Sequence, residues 1–207
     1  MEKSVIRNIV FDMGGVLIDF NPELFMDREG ITAAEDRSMI RKELFRSVEW
    51  VMMDLGQLTE DEVEPRVLAR VPERLRSHVS HLLRHWADDR RMINGMEDLV
   101  RQLKEAGYGI YLLSNASVDQ PNYWKRLSIS QYFDGTLVSA FVKRVKPMDE
   151  IYRIFIDRFH LTPEECVFID DVPMNVAGAI MNGWNGIVFY GEAEELRGKL
   201  AGLGVRI

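Results

Sequence analysis

The chain has 207 residues, 46% hydrophobic and 29% charged, with a formal net charge of −7. That is enough apolar material for one domain, or a domain with an insertion, and an acidic balance without a basic cluster argues against nucleic acid as a partner. The single cysteine, Cys166, excludes an internal disulfide, no signal peptide is read, and no segment approaches the ~18 consecutive apolar residues of a membrane span, so a reducing cytoplasm is the expected compartment.

The first element is the most informative. Ile9-Val10-Phe11-Asp12-Met13-Gly14-Gly15-Val16-Leu17 reads as a short buried strand that delivers one carboxylate to a glycine-rich turn. Apolar β-formers bury readily, whereas Asp12 must be solvated, paired or bound to a metal. Taken alone, Asp12 could equally cap a turn. From Asn21-Pro22 to Arg90 the pattern is helical, with apolar positions at helical spacing over 33–47, 60–70 and 73–87. Pro22 suits a first turn, and Thr59 with Glu62 forms a capping-box signature. Trp50, Met52 and Met53 are read as packing. His78, His81 and His85, on a segment rich in arginine, are read as a solvated or packing stripe rather than a metal face.

Beyond Asn94 the register changes. Helix 95–106 ends at Gly107, a C-cap residue, and strand 109–113 follows, ending in Ser114-Asn115. Helix 120–127, a strand near 136–139, the strand-like run Arg144-Val145-Lys146-Pro147, helix 149–159 and strand 166–169, ending in Asp170-Asp171, come next. Helix 174–182, strand 186–189 and helix 193–201 complete the alternation. The expected fold is α/β: a Rossmann-like doubly wound parallel sheet, core 1–20 and 91–207, with an inserted all-helical cap at 21–90. In such a sheet the strand ends share one edge, where ligands bind, so one site would collect the unusual residues. Like charges side by side at Asp170-Asp171 also call for a cation.

This ordered set, Asp12, Ser114, Lys146 and Asp170-Asp171, resembles the four motifs of the haloacid dehalogenase (HAD) superfamily, over nearly the whole chain. The phrases that carry it are Phe11-Asp12-Met13-Gly14-Gly15-Val16-Leu17, Leu113-Ser114-Asn115, Val145-Lys146-Pro147, and Phe168-Ile169-Asp170-Asp171 through Asn175. The resemblance implies a Mg²⁺-dependent phosphatase of a small phosphorylated metabolite, working through an aspartyl-phosphate on Asp12. Asp12, Asp171 and the Gly14 carbonyl would hold the metal, with Asp170 as a ligand or a brace to them. Lys146, Ser114 and the Asn115 amide would bind the phosphoryl oxygens, Lys146 also countering the charge on Asp12. The helical insertion corresponds to the mobile cap of the C1 subclass.

One position departs from the pattern. Most phosphatases of the superfamily carry an acid–base Asp two residues after the nucleophile, and here that residue is Gly14. The chain is most similar to the Asp-x-Gly subgroup that includes α-glucose-1-phosphatase-like sugar phosphatases. A non-catalytic binder of phosphorylated ligands, a phosphomutase and a dehalogenase are the competing readings. Dehalogenases of the family typically place an aromatic residue at this position and need no acidic pair. A receiver domain has its acidic pair early in the chain, the reverse of the order here. Among Glu49, Trp50, Met53, Asp54 and Gln57 the sequence does not distinguish which face the site.

Overall fold

The computed structural model describes residues 5–88 and 91–207. Asp89 and Arg90, where the expected insertion ends, lie outside the described residues. Among the described residues the strands are β1 (Asn8–Phe11), β2 (Gly109–Ser114), β3 (Gly135–Val138), β4 (Cys166–Asp170) and β5 (Asn185–Val188). They form one parallel sheet in the order β3-β2-β1-β4-β5. β1 is central, and Ile9, Val10 and Phe11 are all fully buried, as parallel strands covered on both faces must be.

Five helices separate β1 from the rest of the sheet: α1 (Pro22–Arg28), α2 (Ala34–Ile40), α3 (Val48–Asp54), α4 (Glu60–Leu68) and α5 (Glu73–His85). Their ends follow the sequence signals. Asn21 caps α1 by accepting from the Glu23 amide at 3.0 Å, Ser47 caps α3, and the Thr59–Glu62 capping box opens α4. The helix expected over 33–47 is broken: α2 passes into a π-turn at Arg41–Phe45, whose extra residue lets Leu44 and Phe45 both turn inward. These helices share a hydrophobic cluster of their own, around Met26, Ile40, Leu44, Val63, Val67 and Leu83.

The alternation then runs through α6 (Met96–Glu105), α7 (Gln120–Trp124), α8 (Ser139–Val142), α9 (Asp149–Phe159), α10 (Pro173–Met181) and α11 (Ala193–Gly202). Ile9 and Phe11 pack with Leu99 of α6 and Leu200 of α11 on one face of the sheet. Val10 packs with Phe155 of α9 and Ala179 of α10 on the other, the period-2 division of a doubly wound core. Two expectations need correction. The helix placed at 120–127 stops at Trp124 and gives way to a 3₁₀ turn at Ser128–Tyr132. The strand-like run at 144–147 is a loop, because the backbone N–H and C=O of Lys146 are both taken by the Asn115 side chain instead of a strand neighbour, and Pro147 has no N–H to offer. Cys166 is fully buried, and burial pushes its thiol up to about 12. Among the described residues, no helix is long and apolar enough to cross a membrane.

Candidate active site

The parallel register sets the carboxylates side by side. Phe11 pairs with Ile169 of β4 and Leu112 of β2, so the next residue, Asp12, falls alongside Asp170 and Leu113 at the sheet's carboxyl edge. Its amide continues the ladder, donating to the Ile169 carbonyl at 2.8 Å. Ser114 ends β2, Asp170 ends β4 and Asp171 follows, so the topology alone gathers four of the expected residues. Lys146 arrives from the loop before α9. Its Nζ reaches Asp12 Oδ1 at 2.7 Å and Asp170 Oδ2 at 2.6 Å, and donates to the Leu113 carbonyl at 3.0 Å. All three ammonium protons therefore have partners, and the nitrogen sits 5.1 Å from the centroid of the Phe168 ring.

Asp170 is held from every side. Beyond Lys146, its carboxylate accepts from the Val172 amide at 2.8 Å and from Asn175 Nδ2 at 3.1 Å. Asn175 is itself fixed by the Tyr152 hydroxyl, which donates to its carbonyl at 2.6 Å across a space kept open by Gly178. Asp170 thus has little lone-pair capacity left and orients Lys146, while Asp12 and Asp171 line the open cavity beside it.

Asp12, Asp170 and Asp171 place one oxygen each within 4.8 Å of one another. Three carboxylates against one ammonium leave excess negative charge. Burial pushes Asp12 above the ordinary carboxylate range, Asp170 adding to the effect and Lys146 opposing it. Asp171 is raised in the same way, by burial first and Asp170 second. Burial alone would lower Lys146, but Asp12 and Asp170 hold it above its usual value. A hard divalent cation with a preference for oxygen fits this donor set. The turn is shaped for it as well: Gly15 has φ +73°, and a Cβ there would overlap the Asp171 carboxylate.

Asp12, Lys146 and Asp171 form the floor of a cavity of about 250 Å³, which Gly14, Gly15, Ser114 and Asn115 also line, with Asp170 buried beneath them. Phe20, Trp50, Trp86 and Tyr123 form its wall, with ring centroids 5.1 Å apart for Phe20–Trp86 and 5.5 Å for Trp86–Tyr123. Asp54 and Glu60 of the helical insertion supply two more carboxyl groups. Of the insertion residues left open by the sequence, Trp50, Met53 and Asp54 face the cavity. Glu49 instead pairs with Arg70 at 2.7 Å, and Gln57 is exposed. Trp50 and Met53 therefore do more than pack. His78 and His81 pair with Glu29, and His85 with Asp88, consistent with a solvated stripe. Phe20 and Trp86 escaped the sequence reading, having no local motif to mark them. Glu60 was read only within the capping box, and Tyr152 and Asn175 stood within motif phrases without a role.

The model of haloacid dehalogenase-like hydrolases matches residues 6–183. The chain is a member of that family. It is 26% identical over 166 residues to flavin mononucleotide hydrolase 1, a chloroplast protein of Arabidopsis thaliana, covering 76% of this chain and 63% of that one. It is 25% identical over 187 residues to the sesquiterpene phosphatase astK of Aspergillus oryzae, covering 89% and 90%. The crystal structure of an alanine mutant of a HAD family enzyme from Bacteroides thetaiotaomicron, in complex with magnesium and inorganic phosphate, superimposes with a TM-score of 0.70 at 20% identity over 92% of this chain and 98% of that one. At that identity the likeness is one of fold, and the hydrolase's own site must be argued from its residues.

Proposed function

We propose that this hydrolase is a Mg²⁺-dependent phosphatase of a small phosphorylated metabolite. The observation that carries the reading is the floor of the cavity, where Asp12 stands within reach of Asp171 and is paired with Lys146. Asp12 attacks phosphorus, forming an aspartyl-phosphate that water then hydrolyses, so one hard displacement becomes two easier ones. Ser114 and the Asn115 amide bind the phosphoryl oxygens, the charge of Lys146 stands beside them and is shared with the phosphoryl group as it bonds to Asp12, and Asp170 keeps Lys146 in place through its 2.6 Å contact. Asp12, Asp171 and the Gly14 carbonyl hold the metal, with Asp170 as their brace. When bound, Mg²⁺ supplies the positive charge that lets two anions meet.

Residues 21–90 act as the mobile cap over core 1–20 and 91–207 in this reading. Support comes from the insertion's separate hydrophobic cluster and from the lining it gives the cavity through Trp50, Met53, Asp54, Glu60, Leu83 and Trp86. The aromatic wall favours a ring or hydrocarbon, a sugar ring stacked on tryptophan among them, over an open-chain polyol. The buried Cys166 suits a reducing compartment, and we take the cytoplasm as the site of action.

The test is hydrolysis of 4-nitrophenyl phosphate with and without Mg²⁺, with acid trapping of phosphorylated Asp12. Asp12→Asn should fold, lose the trapped species and fall to background. Full activity in that variant, or halide release from a 2-haloacid in place of phosphate release, overturns the reading.

A further inference from the structure

Gly14 leaves the proposed phosphatase with no acid two residues after Asp12, and the structure leaves little room for one there. A Cβ on Gly14 would lie 3.2 Å from the Cβ of Phe20, which is itself in ring contact with Phe25, Trp50 and Trp86. Four carboxyl groups line the cavity: Asp12, Asp171, Asp54 and Glu60. The first two belong to the charge cluster on the floor. Glu60 answers electrostatically to Asp119, Arg84, Asp61 and His85, away from the nucleophile. The charged groups that act on Asp54 are Asp12 and Lys146. Asp54 is therefore the insertion carboxyl that faces the reacting atoms.

We propose that Asp54 is the acid–base residue of this site. The proposal rests on the phosphatase reading and goes beyond it. In the first step the Asp12 oxygen bonds to phosphorus, the ester P–O bond breaks, and the proton of Asp54 passes to the departing oxygen, releasing an alcohol. In the second, a water oxygen bonds to phosphorus, a water proton returns to the Asp54 carboxylate, and the phosphorus–Asp12 bond breaks with its electron pair restoring the carboxylate. Inorganic phosphate leaves, and both carboxyl groups regain their starting forms.

The backbone at Asp54 is fastened for this work. Asp54 ends α3, and its carbonyl accepts from Ser139 Oγ at 2.5 Å. The same hydroxyl oxygen accepts from the Ala116 amide at 2.9 Å, two residues past Ser114. Two residues beyond Asp54, Gly56 adopts φ +63° where a Cβ would overlap the Ala140 carbonyl, so the loop after α3 lies directly on the core. Asp54 is thus clamped to the strand-end edge that carries the nucleophile, although it belongs to the insertion. Burial, with the charge of Asp12 adding and Lys146 opposing, raises its carboxyl to about 7. Both protonation states are then populated near neutrality, as a group that gives a proton and later takes one requires.

The experiment is rapid-quench hydrolysis, with Mg²⁺, of two esters. The phenolate of 4-nitrophenyl phosphate leaves unprotonated, whereas the alkoxide of 2-phenylethyl phosphate needs a proton. Asp54→Asn should keep a burst of nitrophenolate near the wild-type rate and then stall as phosphorylated Asp12 accumulates. On the alkyl ester its phosphorylation step should fall by about 10²–10⁴-fold, with Asp54→Glu recovering part of the loss. The ratio of the two esters within one variant is independent of how much of it is folded. Asp54→Asn slowing both phosphorylation steps alike, or turning over the alkyl ester like the wild type, overturns the proposal. A wild type that forms no phosphorylated Asp12 from either ester removes the phosphatase reading and this proposal together.

Discussion

Replacing Ser139 with alanine breaks the one side-chain bond seen between the core and the backbone of Asp54. Ser139 is fully buried, and its hydroxyl serves the Asp54 carbonyl at 2.5 Å and the Ala116 amide at 2.9 Å. A neutral hydrogen bond contributes about 0.5–1.5 kcal/mol net, so its loss should shift the balance between clamped and released α3 by about 2- to 13-fold. The Ala116 amide and the Asp54 carbonyl are left without a partner as well, at a cost of about 1–3 kcal/mol. For a chain of this length each kcal/mol corresponds to about 2–4 °C in melting temperature. The variant should accordingly melt lower, and it should lose more kcat/KM on 2-phenylethyl phosphate than on 4-nitrophenyl phosphate, because only the first depends on a placed proton donor. In an Asp54→Asn background the selective part of the loss should vanish. A Ser139→Ala protein that melts like the wild type, or that loses both esters equally, would refute the clamp.

Two further outcomes follow from the same geometry. In metal-free protein, folded Asp54 titrates near 7 while an unfolded Asp titrates near 3.8, so the folded state holds a proton that the unfolded state surrenders. Raising the pH between those values favours unfolding, by up to about 1.4 kcal/mol per pH unit from this group, and the slope of melting temperature against pH from 5 to 7 should be shallower in Asp54→Asn than in the wild type; equal slopes in chelator would remove the buried, raised carboxyl. Gly14→Asp, which supplies the acid that the family resemblance leads one to expect there, should be destabilised by about 1–3 kcal/mol, because its Cβ meets the Phe20 Cβ at 3.2 Å, and should gain no activity toward alkyl phosphates. Brisk alkyl-ester hydrolysis by that variant would mean that Phe20 yields and the loop can host its own acid.

What was legible in the chain is what a strand end writes locally. Asp12, Ser114, Asp170 and Asp171 each close an apolar run, and parallel pairing carries every such end to one edge, so composition and topology together predict their meeting. Lys146 carries no such mark: it sits on a loop, and only the resemblance singled it out. The expected strand there failed because the Asn115 side chain, far along the chain, takes the backbone groups a strand would share. The wall was less legible still. Phe20, Trp50, Trp86 and Tyr123 come from four separated segments, and an aromatic residue that lines a cavity has the same sequence signature as one that fills a core.

The phase of α3 marks where local reading stops. Glu49 and Asp54 lie five residues apart, about 140° around a helix of 3.6 residues per turn, so at most one of them can face the site. Trp50, Met53 and Asp54 stand at i, i+3 and i+4 and share a face. Trp50 and Met53 read as packing residues, and nothing local in the sequence decides whether Asp54 turns inward with them. A carboxylate completing an apolar stripe is costly to bury unless something answers it, and the charges that act on this one are Asp12 and Lys146, from two other segments. The informative signal was therefore the break in the stripe at Asp54, read together with the missing acid at Gly14: one position lacks a carboxyl that the chemistry uses, and another holds a carboxyl that packing does not need.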